Sequence, residues 1–161
     1  MDLIAILQSK PVLIGLHLGL AIIGIDAFLW LFGKLRGHGS QSQKSHFVPA
    51  TIGAASFVLS WIIGGYYYVV YYGAQVKPAI KSGLAPWAHN IVMETKEHIF
   101  LFIIPLAMTV VFITLLNKEN MERLKLRRLA GYLSLTIVIL GLLIGAFGFI
   151  ISAAARWGAA N

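Results

Sequence analysis

Five ionisable residues stand inside or beside apolar sequence, where charge is costly. His17 and Asp26 interrupt the run PVLIGLHLGLAIIGIDAFLWLF. Glu94, Glu97 and His98 close the polar approach WAHNIVMETKEH to the run IFLFIIPLAMTVVFITLL. Ionisable side chains within a bilayer are expensive and are functional candidates by default. Their types suit redox and metal chemistry: a neutral imidazole ligates haem iron or a bare metal ion, and a carboxylate carries protons or binds cations.

Helical spacing groups these residues. At 3.6 residues per turn, His17, Ala21 and Gly24 fall on one face. Gly15 and Gly19 flank the same turn, and the next apolar run offers Ser56, Ser60 and Gly64 at intervals of four. Small residues let helices approach closely, and they equally leave room for a flat macrocycle beside a ligating imidazole. Further along, Asn90, Glu94 and His98 share a face, with Glu97 about 100° away from His98. His17 and His98 are expected at similar depths below one membrane surface, as axial ligands of a haem that Ala21, Gly24 and Gly64 accommodate. Glu94 is then the first candidate for proton transfer and Glu97 the second. Two alternatives stay open: Glu94, Glu97 and His98 ligate a bare metal ion, or they are interfacial charges, with Lys96 snorkelling and Glu97 paired to Arg156. For Asp26 the choices are a salt bridge to Lys34 or to an arginine of the last helix, and a proton relay. His89 is expected among the headgroups, His38 in a solvated loop and His46 at the start of the second helix.

The elements that must position these groups are membrane helices. Only 12% of the 161 residues are charged, 58% are hydrophobic and the mean hydropathy is +0.80, whereas soluble domains carry about 25% charged residues. About 20 apolar residues cross the hydrocarbon core. Four segments meet that length, at about 11–33, 47–72, 87–116 and 129–156. The expectation is an all-α integral membrane protein: one domain, residues 1–161, folded as an up-down four-helix bundle. Lys34, Arg36 and Lys44 crowd the first connection, and Lys118, Arg123, Lys125, Arg127 and Arg128 the third. The positive-inside rule then makes those loops cytoplasmic and turns both termini outward, periplasmic in a Gram-negative cell. The net charge of +7 belongs to this asymmetry and not to nucleic-acid binding. No cleavable signal peptide is expected. Cysteine is absent, which excludes disulfides, thiolate iron–sulfur clusters and covalent c-type haem attachment.

The four-helix plan, with His17 in the context LHLGLAIIGIDAFLWLFG, resembles small four-helix membrane b-type cytochromes and, more loosely, the copper-resistance-D-like family. That resemblance implies a helix-one histidine facing a haem b, with a second helix supplying the other ligand. The helices expected at 47–72 and 129–156 hold no histidine, so at most one haem is expected. The functional expectation is an electron-transfer protein of a bacterial or archaeal inner membrane, exchanging electrons with quinol or quinone near its outer face. Its partner is a redox protein at that face or a second copy of the chain. The competing expectations are a cofactor-free structural subunit of a larger complex, a metal-binding membrane protein and a transporter.

Overall fold

Apolar runs of this length have one way to satisfy their backbone in a bilayer, which is to be helical throughout. The computed structural model describes residues 3–37 and 43–159; His38 and Ser40, in the first connection, lie outside them. Among the described residues every regular element is helical. Four helices are long and apolar enough to cross a membrane: Lys10–Arg36, Lys44–Ser82, Ala88–Leu115 and Leu126–Gly158. Their outward surface is hydrocarbon, with Val69 78%, Phe102 67% and Phe149 70% exposed. Surfaces of that kind belong in lipid.

A short helix α1 (Leu3–Leu7) precedes α2 (Lys10–Arg36), which opens with Pro11 in its first turn, where the missing N–H costs nothing. The second span is α3 (Gln43–Tyr67), a π-helical stretch Tyr68–Val76 and α4 (Lys77–Ser82). The third is a π-helical stretch Ala88–Met93 followed by α5 (Glu94–Leu115). A turn of helix, α6 (Lys118–Arg123), leads to α7 (Leu126–Ala159).

The second span therefore runs ten residues beyond the expected end at 72. Gly73, Lys77 and Pro78 read as a loop, yet Pro78 sits in the first turn of α4, where proline is tolerated. Burial of Val76 and Ile80 holds the extension against the rest of the chain.

Helix α2 packs on α3 and α7, and α5 packs on the same two helices from the other side. The centre is aromatic. Phe28 stacks on Phe57 at 5.9 Å, and Phe57 meets Phe100 edge-on at 6.4 Å. Around them pack Leu31, Ile103, Val110 and Ile137. A second cluster, with Tyr72, Val76, Ile80, Val92 and Ile151, fills the end where the π-helical stretches lie. At the opposite end Arg127 donates to the carbonyls of Leu35 and Gly37, closing α2, and Lys34 donates to Ser45 Oγ at 2.8 Å.

Candidate functional site

The inward face of α2 carries Leu13, His17, Gly24, Phe28, Leu31 and Leu35. They recur at intervals of three, four or seven, as in a helix seam. His17 thus points into the bundle, as its spacing with Ala21 and Gly24 suggests. Its Nδ1 lies 2.8 Å from the Ser60 carbonyl oxygen and 3.0 Å from Ser60 Oγ, while that hydroxyl donates to the His17 carbonyl at 2.9 Å. A carbonyl only accepts, so Nδ1 carries the proton and the ring lone pair sits on Nε2.

The small residues named with His17 are in use. A β-carbon on Gly64 would stand 2.6 Å from His17 Nδ1, and one on Gly24 would stand 3.0 Å from the Phe57 ring. Ser60 and Gly64 thus give the imidazole its seat, and Gly24 gives Phe57 room. Ala21 is half-buried on the same face.

Lys96 belongs to the same end of the bundle. The buried positions of α5 include Phe100, Ile103, Ala107 and Val110. Lys96 is half-buried and lies one turn before Phe100 on that face. Beside it, half-buried Glu97 faces the Tyr68 hydroxyl of the second span. It does not pair with Arg156 among the described residues.

His98 and Glu94 start from the outer side of the same helix. Both are exposed, on the side of α5 that carries Phe102 and Phe112. His98 Nδ1 donates to the Glu94 carbonyl at 2.6 Å. It has the same tautomer as His17, but stands about 200° around the helix from Lys96. His17 and His98 are therefore not brought to one centre, and of the two carboxylates Glu97 is the inner one. Among the described residues no group of three or more His, Asp or Glu side chains could hold a metal ion.

Two further placements depart from expectation, those of His89 and Asp26, while His46 stands in the first turn of the second span as expected. His89 is buried, 3% exposed, with Nδ1 3.0 Å from the Tyr72 hydroxyl and the two rings 5.8 Å apart. This pair joins the two π-helical stretches, and such stretches recur at functional sites. His46 is buried among the basic residues at the Arg127 end, and its Nε2 has no hydrogen-bond partner. Asp26 is exposed and makes no ion pair or hydrogen bond among the described residues. Lys34 is instead engaged with Ser45 and lies over Trp30, 5.1 Å from the ring centroid.

These residues form a polar layer toward one end of the bundle: His17 with Ser60, Glu97 with Tyr68, Tyr72 with His89, and half-buried Lys96 on the inner face of α5. It offers an imidazole lone pair, a cation, a carboxylate and phenols. Comparison with protein-family models, with curated proteins and with solved structures gives no match.

Proposed function

We propose that this chain is a multi-pass membrane redox protein that exchanges electrons with quinol or quinone at its Tyr72 end, with His17 the ligand of a single haem b. The observation that supports the reading is the state of His17: half-buried, fixed through Nδ1–H to the Ser60 carbonyl, with the lone pair on Nε2. Ligating histidines are oriented in this way by a hydrogen bond from the other ring nitrogen. Haem bound there supplies one-electron storage. Lys96 is the cation for its propionates, and Glu97 beside Tyr68 is the acceptor for a quinol proton. In this reading His98 does not oppose His17 within one chain. Lys34, Arg36, Arg127 and Arg128 at the far end turn the Tyr72 end outward by the positive-inside rule.

The test is an absorption spectrum of protein purified from haem-replete cells. Soret and α bands of a b-type haem are expected on reduction, lost in His17→Ala and kept in His98→Ala. Haem kept in His17→Ala would overturn the ligand assignment.

A cofactor-free structural subunit is the second reading, and one observation favours it. The gaps at Gly24 and Gly64 are filled by Phe57 and His17 themselves. A colourless protein under the same conditions decides for it.

A further inference from the structure

The end of the bundle that carries Arg127 holds a buried polar atom with nothing to bond. His46 stands in the first turn of α3, 7% exposed, and its Nε2 is closed off without a hydrogen-bond partner. Ala50, Ala54 and Phe57 follow it at intervals of four, four and three, and all are buried, so His46 begins the inward face of its helix. Buried polar groups are nearly always bonded, to protein, to water or to an ion.

The surroundings favour an anion. Lys34 Nζ donates to Ser45 Oγ at 2.8 Å, beside His46 in the chain, and Arg127 caps α2 at the carbonyls of Leu35 and Gly37. Both cations are half-buried, and each of these acceptors is neutral. An ammonium has three N–H donors and a guanidinium five, so both keep donors beyond these bonds. The first turn of α3 holds no acidic residue, and a helix N-terminus attracts negative charge. Glu119 and Glu122, the acids of α6, are exposed.

We propose that Lys34, His46 and Arg127 form a site for one phosphate group, carried by an anionic lipid headgroup or present as free phosphate. His46, with its proton on Nε2, supplies the donor that has no acceptor. Lys34 and Arg127 supply charge, and α3 adds the positive end of its dipole. Charge-assisted hydrogen bonds to phosphate are among the strong ones, and basic pockets between membrane helices bind lipid headgroups. A water would satisfy Nε2 but leave both cations with neutral acceptors only, and a metal ion would be repelled by them. The site lies at the opposite end from Tyr72 and does not depend on haem or quinol there.

The test is thermal unfolding of the full chain in non-ionic detergent with dioleoylphosphatidic acid, inorganic phosphate or dioleoylglycerol added. At least one of the two phosphate compounds should raise the midpoint saturably. Dioleoylglycerol, with the same acyl chains and no phosphate, should not. A rise with the lipid alone assigns the site to a headgroup, and a rise with inorganic phosphate assigns it to the free anion as well. His46→Leu should abolish the rise, and Lys34→Gln should weaken half-saturation by roughly tenfold. Lys81→Gln, at the other end, should leave it unchanged. No rise with either phosphate compound would overturn the proposal. So would a rise of parental size in His46→Leu, which would mark binding to surface charge only. If His46→Leu fails to fold, Lys34→Gln decides: half-saturation equal to that of the parent overturns the site.

Discussion

His17 and Gly64 occupy one space: the imidazole lies where a β-carbon of residue 64 would be, 2.6 Å from Nδ1 and 2.8 Å from Cε1. The ring cannot retreat without losing Ser60, because both bonds to that residue leave from the same nitrogen.

Gly64→Ala is therefore expected to destabilise the protein, although alanine is the better helix former by about 1 kcal/mol. Overpacking of this kind costs about 1–3 kcal/mol, and the lost Ser60 bond adds to it. Thermal unfolding in detergent should show a lower midpoint. Gly65→Ala, whose β-carbon meets nothing within 4 Å, should be neutral or stabilising.

Tyr72 and His89 should prove coupled. Tyr72→Phe keeps the ring in the cluster and removes only the hydroxyl that His89 Nδ1 meets at 3.0 Å. Polar pairs between membrane helices average about 0.6 kcal/mol and reach about 1.7 kcal/mol. A double-mutant cycle with Tyr72→Phe and His89→Leu should return a coupling in that range. Strict additivity would show that the pair contributes nothing beyond packing.

Gly158 and Gly145 should respond oppositely to alanine. A β-carbon on Gly158 would collide with the carbonyl of Ala79, which is backbone and cannot swing aside, whereas one on Gly145 meets nothing. Gly158→Ala should lower the unfolding midpoint by pushing α7 away from α4. Gly145→Ala should raise stability by up to about 1 kcal/mol.

Orientation can be read by labelling. Cysteines at Ser82 and Asn120 should react with an impermeant reagent from opposite sides of sealed cells, Ser82 from outside. Labelling of Asn120 alone from outside would invert the proposed topology.

Much of this architecture is legible in the residues, and the failures have a common cause. The apolar runs declare the four spans, and His17 with Ala21 and Gly24 marks the inward face, although small residues alone do not, since Gly15, Gly19 and Gly33 of the same helix meet nothing within 4 Å. Helix α5 is different. It is apolar all round, so hydrophobicity does not distinguish its core side from its lipid side. Glu94 gains prominence from sharing a face with His98, yet that face looks outward, and Lys96 with Phe100 and Ile103 looks in. Only Ala107, a small residue four beyond Ile103, hints at the true inner side. The stretch GAQVKPAIKS fails for another reason. Its local composition is that of a loop, and the burial of Val76 and Ile80 overrides it.

The π-helical stretch Tyr68–Val76 acts as a vernier between the two halves of its span. A π-helix fits an extra residue into each turn, so deleting one residue there could be absorbed by reversion to ordinary α geometry, with no break in the helix. A deletion just beyond it, between Lys77 and Ile80, has no such reserve. It turns everything that follows by about 100°, which swings Ile80, now fully buried, out of its cluster. Chain length after the π-helical stretch is thus under tighter constraint than chain length within it.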